Sequence, residues 1–176
     1  MTDINLKIFI SNRTSNLYVT LERLIRNDFP RGLFNEYESS MLEISQLQDL
    51  ETGPNFLIQY ESEIEQQAKI FKGTDLENVS SKIAACKTPT LLKQYCDNLF
   101  AHNFIGFLQE EKQFIEELVA SRSRKKTKTE YLTKVLERLS FATQLLKENS
   151  SLDETIQREI SEAETITKNE LQKWAT

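Results

Sequence analysis

The chain offers few side chains that could carry out catalysis. Its single histidine, His102, has no second imidazole with which to share a metal ion or a proton. The two cysteines, Cys86 and Cys96, lack the Cys-x-x-Cys spacing of a zinc or redox site. A nucleophilic pair of Cys96 and His102 would need tertiary structure to join them, because their spacing places them on different faces of one helix. We therefore predict reduced, buried cysteines and a partly exposed histidine.

Carboxylates are abundant, but their pattern does not indicate a metal centre. A di-metal helical bundle uses Glu-x-x-His motifs on paired helices, and the sequence contains none. It also lacks the GxGxxG, GxxxxGK[ST], GxSxG and HExxH motifs of nucleotide-binding, hydrolytic and metalloprotease sites. We predict no catalytic residue, no cofactor and no metal. The clustered glutamates are interpreted as solvated helix faces: Glu61, Glu63, Glu65, Glu110, Glu111, Glu116 and Glu117.

The most distinctive polar feature is the basic run SRSRKKTK at residues 121–128. Its cations could contact phosphates of a nucleic acid or of an anionic lipid, and such binding would depend strongly on salt. The run could instead be a nuclear-import signal or a solvated helix end. Single-strand binding is disfavoured because aromatic residues are not interleaved with the cations. The candidate anion-binding residues are Arg122, Arg124, Lys125, Lys126 and Lys128.

Composition bounds the class of protein. The 176 residues are 39% hydrophobic and 28% charged, which suits a globular chain that buries a core without disulfides. Only four glycines and three prolines occur, so long elements with few turns are favoured. The net charge of −5 does not indicate nucleic acid as the main partner. No run approaches the roughly 18 consecutive apolar residues of a membrane span. We predict no transmembrane segment and a cytoplasmic or nuclear location.

The elements that would position these residues are helices, and the rest of the chain is expected to pack around residues 90–119. Apolar residues recur there every three or four positions, which predicts one long helix opened by Thr88 and Pro89. Gly106 costs about 1 kcal/mol relative to alanine inside a helix, so we expect close contact with a neighbour at that point. The aromatic residues of this helix are interpreted as core rather than as a ligand pocket: Phe100, Phe104, Phe107 and Phe114.

Further helices are predicted over residues 16–27, 33–50, 56–72, 75–86, 129–148 and 152–174 from the same periodicity. Residues 4–10 are ambiguous because Ile4, Leu6, Ile8 and Ile10 alternate as in a strand, yet no second strand is available to pair with them. We interpret them as the start of a helix or as an extended arm. Residues 11–16 are either a polar helix surface or a turn.

The predicted fold is all-α, with six or seven helices and long antiparallel elements. Residues 1–120 would form a helical bundle and residues 121–128 a basic connector. Residues 129–176 would form a helical hairpin or a coiled-coil arm, packed on the bundle or projecting from it. No fixed-period repeat is present, which disfavours a solenoid.

The favoured function is that of a non-enzymatic adaptor or subunit of a larger multi-protein assembly, bound to its partner or to a second copy through amphipathic helices. The predicted partner-binding residues are Leu132, Val135, Leu139, Leu146, Ile156, Ile160, Leu171 and Trp174. The alternative is a module that binds nucleic acid or an anionic membrane through residues 122–128. An unusual helical enzyme that uses Cys96 or His102 is the least favoured interpretation.

Overall fold

The computed structural model describes residues 2–174, which form eight α-helices and no strand. The all-α class is therefore confirmed for this part of the chain. The helices are α1 (Asp3–Ile25), α2 (Leu33–Gln48), α3 (Pro54–Ile70), α4 (Glu77–Ala85), α5 (Pro89–His102), α6 (Phe104–Ala120), α7 (Lys125–Glu148) and α8 (Glu154–Trp174). None of them, within residues 2–174, is long and apolar enough to cross a membrane.

The helix predicted over residues 90–119 is two helices, which raises the number of helices above the expected six or seven. α5 ends at His102 and α6 begins at Phe104, with Asn103 between them at φ −105° and ψ 11°. The carbonyl of Asn103 accepts the first hydrogen bond of α6, from the Gly106 N–H at 3.0 Å. Asparagine favours helix starts over helix interiors because its side chain competes for backbone groups. The apolar periodicity continues across the break and therefore does not reveal it.

α1 runs without interruption through both segments that the sequence left ambiguous. Leu6 and Ile10 are buried, whereas Ile4 and Ile8 are 72% and 54% exposed. The alternating isoleucines thus lie on opposite sides of a helix rather than on two faces of a strand. Thr14, in the polar stretch, is buried and donates to the carbonyl of Ile10 at 3.0 Å. This bond within the helix is how a threonine hydroxyl is accommodated on its inner face.

The residues described divide into two compact units, residues 2–28 with 36–100 and residues 29–35 with 101–174. The domain boundaries predicted at residues 120 and 128 stay predictions. However, α7 begins at Lys125, so only residues 121–124 of the predicted connector lie outside a helix.

In the first unit, α1, α3 and α4 pack against one another. Between α1 and α3, Gln67 forms a buried polar cluster in which its amide donates to Thr14 Oγ1 at 3.1 Å and its carbonyl accepts from Tyr18. The polar side chains of this cluster are tolerated in the interior because each has a hydrogen-bond partner.

α2 contacts α5 through the stacked rings of Tyr37 and Phe100, whose centroids lie 4.9 Å apart.

In the second unit, α7 and α8 form an antiparallel hairpin, and α6 packs against both. The hairpin direction follows from Lys128 near the start of α7, whose ammonium lies 4.4 Å from the ring centre of Trp174 at the end of α8. The apolar stripe of α7 is buried: Leu132, Val135, Leu139, Ala142 and Leu146. A coiled-coil arm that extends from this unit stays a prediction.

Gly106, in the first turn of α6, packs against the ring of Phe29 in the segment before α2. An alanine Cβ at position 106 would overlap the far edge of that ring. The ring is itself held edge-on against Phe107, with centroids 5.5 Å apart. The expected close contact at Gly106 is therefore present, and its partner is a side chain.

We expect the Gly106→Ala substitution to lower the free energy of unfolding by about 1–2 kcal/mol, because Phe29 must leave its place against Phe107. In a Phe29→Ala background the same substitution should be neutral or stabilising, by up to about 1 kcal/mol, since alanine favours the helix. Urea unfolding of the four proteins in this cycle measures the coupling. An equal effect in both backgrounds would show that the ring does not require a glycine.

Candidate functional site

The second unit contains a cleft with a volume of about 540 Å³. Its walls come from residues 31–35, from α6, from the connection between α6 and α7, and from α7 as far as Arg138. The side chains that give it chemical character are Arg31, Glu110, Glu111, Phe114, Tyr131 and Arg138. Concave sites with a few converging polar groups are where proteins most often bind other molecules.

A buried ion pair between α6 and α7 lies in the wall of the cleft. Arg138 donates through Nε and Nη2 to the two carboxylate oxygens of Glu111, each at 2.8 Å. The two side chains are 8% and 2% exposed. A bidentate pair of this kind fixes the relative position of the two helices, because both hydrogen bonds need one planar geometry. Burial raises the pKa of Glu111, and the hydrogen bonds and charge of Arg138 oppose that rise.

Glu110, the residue before Glu111, joins the segment before α2 to α6. Its Oε1 accepts a hydrogen bond from the Gly32 N–H at 2.9 Å. Gly32 has a φ of +85°, a backbone conformation that residues with a Cβ rarely adopt. The other oxygen, Oε2, is buried and has no hydrogen-bond partner among the residues described. Burial raises the pKa of Glu110, and the hydrogen bond from Gly32 lowers it. While the carboxylate is ionised, Oε2 can accept a further hydrogen bond.

Two aromatic rings complete the cleft. Phe114 and Tyr131 meet edge to face with centroids 5.9 Å apart, and Tyr131 is 43% exposed. The guanidinium carbons of Arg31 and Arg138 lie 5.2 Å and 5.8 Å from the centre of the Phe114 ring. Both distances are within the range of cation–π attraction. The rings therefore form a surface on which planar cations rest.

Arg31 is held more loosely than Arg138. Its side chain is 66% exposed, and its ion pair with Glu117 has a distance of 3.4 Å between Nη1 and Oε2. Exposed pairs of this kind contribute little stability, at most about 1 kcal/mol. Arg31 is thus weakly held at the edge of the cleft, whereas Arg138 is held in its wall by two hydrogen bonds.

The basic run divides into two groups. Arg122, Arg124, Lys125 and Lys126 are exposed around the start of α7. Lys128, which the sequence places in the same anion-binding group, is only 5% exposed. Its ammonium donates to the carbonyl of Val119 at 3.1 Å and lies over Trp174. The ammonium of Lys128 thus interacts with a carbonyl at the C-terminal end of α6, and Lys128 is not part of the exposed candidate anion-binding surface.

The predicted partner-binding residues are mostly inside the second unit. Leu132, Val135, Leu139 and Leu146 are fully buried and Ile160 is 4% exposed, which leaves Ile156, Leu171 and Trp174 half-buried. Packing of α7 against α8 and α6 accounts for the apolar character of the buried five. Contact of these residues with a partner stays a prediction.

The candidate catalytic residues do not form a reactive group. His102 is exposed at the end of α5, and Cys86 and Cys96 are both free thiols, half-buried and buried. Burial raises the pKa of each thiol, which disfavours the reactive thiolate. Among residues 2–174, no group of three or more histidine, cysteine, aspartate or glutamate side chains could hold a metal ion.

The interpretation of Glu110 and Glu111 as solvated residues is wrong, since they are 8% and 2% exposed. A signal for Glu111 was present in the sequence. It lies four residues after Phe107 and four before Ile115, which are both buried, and therefore on the apolar stripe of α6. Arg138 likewise lies three residues after the buried Val135. A charged residue on an apolar stripe predicts a buried partner of opposite sign.

Comparison with known proteins finds no family model that matches this chain, and no curated protein or solved structure that is significantly similar to it.

We expect Arg138→Met to lower the free energy of unfolding by about 3–5 kcal/mol at neutral pH, because it leaves Glu111 buried and unpaired. The double variant Glu111→Leu/Arg138→Met should return to within about 1 kcal/mol of the parent, since no buried charge remains. Chemical denaturation of the three proteins measures both effects.

The loss in Arg138→Met should also depend on pH. Without Arg138, burial alone acts on Glu111 and the folded-state pKa rises further above its ordinary value. A group with a raised folded pKa adds stability below its unfolded pKa and loses it as pH rises through the folded pKa. The defect should therefore shrink as the solution is made acidic. A defect that is independent of pH would contradict the assignment to an unpaired carboxylate.

Proposed function

We propose that this protein is a non-enzymatic helical subunit that binds a protein partner through the cleft lined by α6, α7 and residues 31–35. The observation that carries the proposal is the cleft itself, where Tyr131 is 43% exposed beside the buried pair of Glu111 and Arg138. Tyrosine is one of the residue types enriched among those that dominate the binding energy of protein interfaces. The two free thiols fit a reducing compartment, so the proposed location is the cytoplasm or the nucleus.

The cleft is a better contact surface than the α7 stripe. The stripe residues that the sequence selects, such as Leu132 and Leu139, are already packed in the second unit. A partner could reach them only by separating α7 from α8 and α6, which would expose their core. The cleft residues need no such opening, because their frame is set by hydrogen bonds within the chain.

The test is affinity capture from cells that contain the protein, with the recovered proteins measured quantitatively. Tyr131→Ala should reduce recovery of the partner at least about tenfold, the effect of losing a central aromatic contact. Leu42→Ala is a matched control, because Leu42 is 61% exposed in the first unit. Light scattering of the purified protein tests whether the partner is a second copy. A strict monomer that captures nothing, or equal recovery from both variants, would refute the proposal.

Anion binding is the second candidate, and the start of α7 favours it. Arg122, Arg124, Lys125 and Lys126 are exposed there, and the first turn of α7 contains no acidic residue. The N-terminal end of a helix attracts anions, because its first N–H groups and its dipole both favour negative charge.

Substitution of Arg124, Lys125 and Lys126 by glutamine should strongly weaken binding to duplex DNA or to phosphatidylserine vesicles if this second function exists. The slope of log affinity against log salt for DNA should fall by about 0.9 for each cation lost. The control replaces Lys69, Lys72 and Lys82, which are exposed lysines of the first unit, by glutamine. Binding that is absent, or that both triple variants weaken equally, would exclude a specific anion site at the start of α7.

A further inference from the structure

We propose that the cleft recognises the guanidinium group of an arginine side chain on the partner, and that Arg31 is an internal competitor for this position. The proposal rests on the proposed function and names the chemistry of the contact. It is carried by the unpartnered Oε2 of Glu110, the aromatic surface of Phe114 and Tyr131, and the position of Arg31.

The unpaired carboxylate oxygen selects for a hydrogen-bond donor. Glu110 is 8% exposed, lines the cleft, and already uses Oε1 to accept from Gly32. Oε2 can only accept a hydrogen bond while the carboxylate is ionised, so a group that binds it must carry N–H or O–H. A cationic donor satisfies the hydrogen bond and the charge together, and such bonds are the stronger ones.

The aromatic surface already holds cations of the chain. The guanidinium carbons of Arg31 and Arg138 lie over the Phe114 ring at 5.2 Å and 5.8 Å, and the ammonium of Lys134 lies over the Tyr131 ring at 5.8 Å. A planar guanidinium can stack on a ring and donate to a carboxylate at the same time, which a compact ammonium does less well. Arginine is therefore favoured over lysine as the ligand.

Arg31 can yield its position. Its side chain is 66% exposed, and its ion pair within residues 2–174 is the 3.4 Å contact with Glu117, which is itself 44% exposed. Removal of Arg31 would leave Glu117 and the ring of Phe114 for an incoming arginine. Because an internal competitor lowers the fraction of chains ready to bind, its removal should strengthen binding.

An anionic ligand fits the cleft less well. Arg138 donates two hydrogen bonds to Glu111, and Arg31 forms an ion pair with Glu117. Lys134 is the cation of the cleft that opposes a cationic ligand, and it is exposed, where its charge is screened. The acidic oxygen atoms nearest the interior belong to Glu110 and Glu111. An anionic ligand would therefore approach two carboxylates that carry charge of the same sign.

The probe is N-acetyl-arginine-amide, titrated into the ¹⁵N-labelled full chain and followed by the amide shifts of Gly32 and Tyr131. N-acetyl-glutamine-amide is the neutral control and N-acetyl-glutamate-amide the anionic one. We expect saturable shifts with the arginine probe alone. Arg31→Ala should tighten its binding about three- to tenfold, because the competitor is gone.

Glu110→Gln and Glu117→Gln should each weaken binding of the arginine probe about three- to tenfold, because each removes one charge-assisted acceptor. The glutamine at position 110 can still accept from Gly32, and Glu117 is exposed, so both variants are expected to fold. Glu116→Gln, on the exposed side of α6, is the matched control and should have no effect.

Three results would overturn the inference: no saturation in the parent and in Arg31→Ala, stronger binding of the glutamate probe, or unchanged affinity in both glutamine variants. Failure here is distinguishable from failure of the proposed function. If Tyr131→Ala loses the partner but the arginine probe does not bind, the proposed function stands and arginine recognition is refuted. If the probe binds but the chain has no protein partner, arginine recognition stands and the proposed function is refuted.

Discussion

The bidentate ion pair between Glu111 and Arg138 is the interaction on which the second unit depends for its polar cleft. Both side chains are buried on helix faces that are mostly apolar, so the ion pair favours the register of α6 and α7 in which the two charges meet. Desolvation of two ions costs much of what their attraction returns, and an apolar pair of similar size could hold the helices equally well. What the ion pair adds is a fixed register and a charged wall beside Phe114 and Glu110.

The cleft shows how a helical unit can hold an unsatisfied group without unfolding. Glu110 and Glu111 are adjacent, and the charge of Glu111 is matched by Arg138 at 2.8 Å. Glu110 has one backbone donor, from Gly32, and one buried oxygen that none of the described residues satisfies. A buried acceptor left unpaired costs about 1–3 kcal/mol, which is a substantial share of the stability of a domain. Features that cost stability are commonly retained where they serve binding.

The sequence predicted most of the helices, because burial of one face dominates helix formation in a chain with few glycines and prolines. The stripe of α2, with Tyr37, Met41 and Ile44, is buried as its spacing requires. The break at Asn103 could not be predicted from apolar periodicity, since the same period continues through both α5 and α6. Asn103 itself, a residue that favours helix starts, was the available signal. The burial of Glu111 was readable from its position, but its partner 27 residues later was not.

The apolar stripe of α7, which the sequence predicts to bind a partner, is packed within the second unit. Leu132 and Leu139 are covered within the second unit, and many of the exposed apolar residues, such as Leu42 and Ile58, lie on other helices. Isolated apolar residues are normal on protein surfaces and identify no partner. The cleft differs because aromatic, acidic and basic groups converge there within one compact unit.

The central claim is that the cleft contacts an arginine-bearing segment of a partner, and site-directed photo-crosslinking tests it most directly. A photoreactive phenylalanine analogue would replace Tyr131 in the full chain in cells, with the same analogue at the exposed position of Ile58 as reference. We predict that position 131 alone joins to one partner segment, that this segment contains arginine, and that Glu110→Gln reduces the product. Joining from both positions equally, or to an acidic segment, would contradict the account.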